Sequence, residues 1–168
     1  MNRRTNRMRC KGTIGLIVTV IVIMQCIMTS CAPDGRSTGS FKTLPAGEGW
    51  NRSLPLVFEP EYNDSNATYD IVVAIRHTNT FQYSNMPLMV DLLGDSARLT
   101  SRVPIEIDVA DEFGNWHGTG FGTMFQCKTV VAKALKPEQA RKVIVWQAMS
   151  DTTTVQGITE VGVLVNIH

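Results

Sequence analysis

The chain has 168 residues, 43% of them hydrophobic and 18% charged, with 16 Lys and Arg against 15 Asp and Glu for a net charge of +1. The charge is unevenly placed: Arg3, Arg4, Arg7, Arg9 and Lys11 all precede Cys31 and no acid does, so the part from Cys31 onward carries 11 basic residues against 15 acids, a net of −4. That sign argues against nucleic-acid binding and against an electrostatic hold on anionic lipid.

The first element in chain order is a signal. After the basic start, residues 13–28 (Thr-Ile-Gly-Leu-Ile-Val-Thr-Val-Ile-Val-Ile-Met-Gln-Cys-Ile-Met) are almost wholly apolar, and Thr29-Ser30-Cys31 follow. Positive charge holds the start on the cytoplasmic side while the apolar stretch enters the membrane. Those 16 residues fall short of the roughly 20 that a spanning helix needs, which favours a cleaved signal, residues 1–30, over a retained helix. Two small residues directly before a cysteine resemble the lipobox of bacterial lipoproteins, although Met28 stands where Leu is usual. The Cys31 thiol would accept a diacylglycerol and become the acylated N-terminus after cleavage. Cys26 competes poorly, because it follows Gln25 inside the apolar run. The alternatives are a secreted protein with an incidental cysteine and a retained membrane helix. One acyl chain binds membranes only marginally and two or more bind stably, so a lipobox anchor is durable.

Of the 4 cysteines, Cys10 and Cys26 leave with the signal and Cys31 is acylated, which leaves Cys127 and no internal disulfide. The domain must therefore fold on its apolar core. Residues 50–168 are numerous enough for one domain that buries roughly two thirds of its unfolded surface. Cys127 reads as a small apolar residue in a strand. Residues 31–49 are the lipidated cysteine and a stretch rich in Pro33, Gly35, Ser37, Thr38, Gly39, Ser40, Pro45, Gly47 and Gly49. They read as a flexible tether with a reach of roughly 23 Å.

From Leu54 the apolar period is two. Ile71, Val73 and Ile75 alternate with Val72, Ala74 and Arg76; Met86 to Leu93 is nearly continuous; Val103, Ile105, Ile107 and Val109 alternate with Pro104, Glu106 and Asp108. Phe125, Cys127, Thr129 and Val131 form another such row, as do Val143 and Val145, and Val161, Val163, Val165 and Ile167 close the chain. Such rows are half-buried strands, and Pro104 belongs at an edge or a strand start, because it cannot donate to a ladder. Lys136 to Lys142, with Pro137 early in it, is predicted to form a helical turn or two. With no crossover helices, the fold class is all-β: an antiparallel sandwich of the jelly-roll or a related type, with at most one short helix.

Three stretches stand out chemically: Ile75 to Met86, Asp111 to Gly122, and Trp146 to Met149 with Gln156 to Gly162. The second holds four glycines, but no Lys-Ser/Thr follows and no helix is there to cradle a phosphate. Trp116 within it is either a stacking ring for a sugar or a plug for one end of the sandwich. His77, His117 and His168 lack metal-ligand spacing, no nucleophile elbow occurs, and no carboxylate pair declares itself. The expectation is no enzyme, no metal and no cofactor. His77 beside Arg76 marks a strand end, with the ring hydrogen-bonded locally.

The same segments resemble the gliding-motility lipoprotein GldH family of Bacteroidetes. The residues that carry the resemblance are Gly49-Trp50, Phe58, Tyr69-Asp70, Ile75-Arg76, Tyr83-Ser84-Asn85, Asp111 with Gly114 to Gly122, Gln147-Ala148-Met149 and Gly157 to Gly162. Phe81-Gln82 and Ser150 depart from its pattern. The resemblance implies an outer-membrane lipoprotein, attached through its N-terminal lipid, that works with envelope proteins of the gliding and type IX secretion machinery by protein–protein contact. Ala32-Pro33-Asp34-Gly35-Arg36 has one acid and lacks the acidic cluster resembling a surface-export signal in these bacteria, which favours the periplasmic face. Candidate partner-binding residues are Arg76, Tyr83, Asn85 and Trp116, since aromatics and Arg anchor such surfaces. An envelope glycan-binding module is the second reading and would need coplanar exposed aromatics. Asp95-Ser96-Ala97 and Asp151-Thr152-Thr153 also resemble the O-glycosylation motif of such bacteria, although the reading as ordinary turns is preferred.

Overall fold

A computed structural model describes residues 37–168; the signal and Cys31 lie outside the described residues. Eleven strands follow in order: β1 Ser37–Thr43, β2 Trp50–Asn51, β3 Leu56–Phe58, β4 Tyr69–Thr78, β5 Asn85–Leu93, β6 Leu99–Asp108, β7 Thr119–Phe121, β8 Met124–Leu135, β9 Lys142–Gln147, β10 Thr154–Val155 and β11 Ile158–Ile167. One sheet has the order β1-β11-β4-β8-β7, a second has β3-β9-β5-β6, and β2 and β10 form a small ribbon. Every pairing is antiparallel.

Without the ribbon and β7, eight strands remain, and their pairs are nested: first with last, second with seventh, third with sixth, fourth with fifth. This is a long antiparallel ribbon rolled up so that its two halves face each other, which is the jelly roll. The strands alternate as their sequence demands. Ile71, Val73 and Ile75 of β4 face Met86, Leu88, Val90 and Leu92 of β5, and Val143, Val145, Val161, Val163 and Val165 complete the core between the sheets. β4 lies between β11 and β8, and its opposite face is covered too, so Val72 and Ala74 are buried as well.

The prolines sit where their missing N–H does no harm. β6 is an edge strand, and Pro104 lies in it opposite Met89. Pro87 lies in the interior strand β5, where its carbonyl accepts from Ala148 N at 3.1 Å. That partner stands one residue past the end of β9. The side on which Pro87 would donate is therefore where that ladder ends. Asp91, in the same interior strand, has its carboxylate buried on the outer face of the second sheet. It accepts from Arg102 Nε at 2.5 Å and Nη2 at 2.7 Å, and from Trp146 Nε1 at 3.1 Å. The Arg102 side chain, first, and the Trp146 indole hold its carboxyl below the usual carboxylate range. One carboxylate thus ties β6 and β9 to the strand between them.

One expectation is corrected. The segment after the anchor is not a tether as far as residue 49: Ser37 to Thr43 is a full strand in register with Asn166 to Glu160, and Leu44 is a core residue. A jelly roll needs a first strand to cover its last, and small polar residues can serve there because they face solvent. The domain therefore begins at Ser37 rather than Trp50. The predicted helical turn at 136–142 is a single 3₁₀ turn, Pro137–Gln139, in which Lys136 N donates to Gln139 Oε1 at 2.9 Å. The two glycosylation-like triplets do lie in turns: Ser96 is exposed, whereas the Thr152 hydroxyl donates to Thr154 O at 2.9 Å.

A chain begun at Ser37 is expected to unfold cooperatively on heating, whereas a chain begun at Trp50 is expected to show no cooperative transition. Calorimetry of the two truncations decides between the boundaries, and equal melting temperatures would restore the tether.

Candidate functional site

One end of the sandwich gathers the end of β4, the start of β5, the end of β6 and the β7–β8 hairpin. Asn85 opens β5 opposite Asp108, and Thr78 closes β4 opposite Met124. His77, the next-to-last residue of β4, is 0% exposed. Its ring lies among Trp116, Phe125 and Phe81, with centroids at 4.9, 5.5 and 5.6 Å. Nδ1–H donates to Thr78 O at 3.0 Å, and Nε2 is 3.9 Å from Cys127 Sγ. The histidine thus ends a strand with a local hydrogen bond, and it is also the centre of an aromatic cluster. Burial lowers its pKa from the usual 6.5, against a smaller opposite pull from the Thr78 carbonyl. Burial also raises the Cys127 thiol, which donates to His117 O at 3.3 Å. A protonated, buried thiol is a poor nucleophile, and Cys127 packs in β8 as a small apolar residue.

Trp116 is half-buried and packs on the core, which is the plug rather than a free platform. The chain is fixed there by backbone bonds: His117 N donates to Val109 O at 2.7 Å, and Val109 N and Ala110 N both donate to Ser84 O, at 2.8 and 2.9 Å. Gly118 has φ +85°, and a Cβ there would stand 2.1 Å from Gln126 O, so only glycine fits beneath the hairpin. Between these supports a tight turn projects. The Asp111 carboxylate accepts from Asn115 Nδ2 at 2.8 Å, Asn115 N at 2.8 Å and Phe113 N at 2.9 Å. The Asn115 side chain, first, and these backbone donors keep the Asp111 carboxyl below the usual carboxylate range.

The other candidates take different positions. Tyr83 is half-buried and meets the Phe81 ring edge-on at 5.6 Å. Asn85 Nδ2 donates to the Glu106 carboxylate across the β5–β6 pair. Arg76 turns away from this cluster onto the outer face of the first sheet. There Nε donates to Gln126 Oε1 at 2.9 Å, Nη1 pairs with Glu160 Oε2 at 2.5 Å, and the guanidinium lies 4.0 Å from the Phe41 ring centroid. Phe41 in turn lies over Gly162, where a Cβ would be 2.5 Å from the ring. Arg76 also borders an open groove of about 540 Å³ with Thr119, Met124 and Gln126. The end of the sandwich therefore unites Tyr83, Asn85 and Trp116, and Arg76 is held beside it by its own sheet. Phe113, at the tip of the Asp111 turn, was not among the residues singled out in the sequence. It is 82% exposed. Its signal was an apolar ring in a run of acids, glycine and Asn.

Among the described residues there is no group of three His, Cys, Asp or Glu side chains placed to hold a metal ion. The fold and this end define a jelly-roll domain with a rigid, ring-supported cluster of loops. The chain belongs to the GldH lipoprotein family, whose model matches residues 37–165 and so starts at β1. A curated relative, the gliding motility lipoprotein GldH homolog of Christiangramia forsetii, is 30% identical over 113 residues, covering 66% of this chain and 69% of that protein. Among solved structures, the Tobacco streak virus coat protein aligns with a TM-score of 0.31 and 7% identity over 82% of this chain and 90% of that one. The infectious bursal disease virus VP2 subviral particle gives 0.32 and 13% over 83% and 34%. At these scores the likeness to viral proteins carries no argument.

His77 gives the domain a pH dependence. A folded-state pKa below the unfolded 6.5 means that the unfolded chain binds the proton more readily. The contribution is intact above pH 6.5 and is lost as pH falls below it. Urea denaturation between pH 8 and 5 is expected to show falling stability in the wild type and a smaller fall in His77→Phe. Parallel profiles for the two proteins would remove His77 as the cause.

Proposed function

We propose that this lipoprotein of the GldH family is anchored in the outer membrane through acylated Cys31, faces the periplasm, and acts without catalysis by binding envelope proteins of the gliding and type IX secretion machinery. The observation that carries the reading is the match to the family across the whole domain, residues 37–165, behind a lipobox-like signal. The name of the Christiangramia relative supplies the motility context. Function on sandwiches tends to sit in end loops, and Tyr83, Asn85 and Trp116 meet there on a rigid frame. The buried state of His77 and Cys127 supports a binding role over nucleophilic chemistry.

The glycan-binding reading has less support. Trp50 is buried with its indole N–H donating to Leu54 O at 3.0 Å, Trp116 packs on His77, and Trp146 lies on the second sheet with its indole on Asp91. The three rings share no face.

Cys31→Ala is expected to leave the membrane fraction or to persist as uncleaved precursor. Recovery at mature size in membranes would refute the lipid anchor. Affinity purification from crosslinked envelopes is expected to recover secretion or motility proteins, and recovery of glycan alone would refute the proposed partner class.

A further inference from the structure

The two ends of the sandwich differ in what they can reach. Ser37 pairs with Asn166, which pairs with Asp70, so β1 starts at the end where β4 begins and β11 finishes. Only residues 32–36 separate Ser37 from Cys31, a span of at most about 20 Å when fully extended. The loops after β4 and β6 lie at the other end of the ten-residue strand β4, about 30 Å away at ~3.3 Å per residue. The start of β1 and the loop cluster therefore belong to opposite ends of the sandwich.

Phe113 stands out at the loop end. Phe113 is 82% exposed, while Phe81, Tyr83, Trp116 and Phe125 at that end pack on one another or on His77. Its turn is closed from both sides: besides the three bonds to the Asp111 carboxylate, Asp111 N donates to Asn115 O and Gly114 N donates to Asp111 O, both at 3.0 Å. The base of the turn is bonded to Ser84 O, next to Tyr83 and Asn85. The backbone that presents this ring is ordered before any partner arrives, which lowers the cost of binding and leaves only the side chain to be fixed. Asp111 and the exposed Glu112 flank it. Two carboxylates beside the ring disfavour insertion among anionic headgroups and favour a protein pocket with cationic groups on its rim.

We propose that Phe113 is the central anchor of a protein-binding surface at the end of the sandwich opposite the start of β1, and that its partner offers an apolar pocket rimmed by basic side chains. This rests on the anchored, partner-binding reading above and adds the residue, the polarity and the chemistry of the partner.

The test places the photoreactive residue p-benzoylphenylalanine at position 113 of the full lipoprotein in its own cells, with separate controls at Val57, Ile167, Tyr83 and Trp116. The expected result is a discrete protein adduct from position 113 and none from 57 or 167. That adduct should weaken at least tenfold when Glu112→Lys is added. Because both side chains are exposed, Phe113→Asp and Glu112→Lys are expected to keep the wild-type melting temperature and membrane fractionation. Lipid adducts from position 113 would overturn the proposal in favour of membrane insertion, and an adduct indifferent to Glu112→Lys would overturn the basic rim. Protein adducts from Tyr83 or Trp116 without one from 113 would reject Phe113 and leave the partner-binding reading standing. No protein adduct from any of the three loop positions would reject both.

Discussion

The pairing of the first strand with the last is the contact on which this domain depends. Cys127 is the sole cysteine among the described residues and is free, so no covalent link closes the fold. The ribbon closes instead when Ser37 to Thr43 aligns with Asn166 to Glu160. Without that contact β11 becomes a sheet edge, and β4 stands one strand from it. The partners in this contact are more than a hundred residues apart in sequence, so the loop-closure entropy must be met before apolar burial rewards it. Phe41 shows how the contact is reinforced. Its ring fills the space left by Gly162 and receives the Arg76 guanidinium on its face, which ties β1, β11 and β4 into one layer.

The loop end rests on the same core. His77 belongs to β4 by its backbone and to the loop cluster by its ring, which touches Trp116, Phe125 and Phe81. Any partner held by the exposed turn at Asp111 to Asn115 therefore pushes against a frame continuous with the central strand. Charge divides the surface as well. The carboxylates of Asp111 and Glu112 stand at the loop end, whereas the carboxylate of Asp91 is consumed inside the second sheet by Arg102 and Trp146.

Much of this was readable in the residues. The period-two rows gave β4, β5, β6, β8, β9 and β11, and Pro104 stood at the edge that its chemistry demands. The first strand was hidden because Ser-Thr-Gly-Ser-Phe-Lys-Thr has the composition of a linker: its partner lies at the far end of the chain, and the side chains that face solvent carry no hydrophobic pattern. The candidate end was read in outline. Tyr83, Asn85 and Trp116 meet there, but Arg76, next to His77 in sequence, points to the other face, because neighbours in a strand face opposite ways. Phe113 went unremarked because local sequence does not say whether a ring in a glycine-rich turn folds inward or outward.

The sequence alone determined the class of the fold and the family, because alternation, turn residues and ordered motifs are local and can be read one segment at a time. Tertiary structure decided where the domain begins, which rings the core consumes, that Phe113 is exposed, and that the loop cluster lies at the end opposite the start of β1. Those outcomes depend on contacts between segments far apart in the chain. Their energy comes from burial and backbone pairing that no single segment contains.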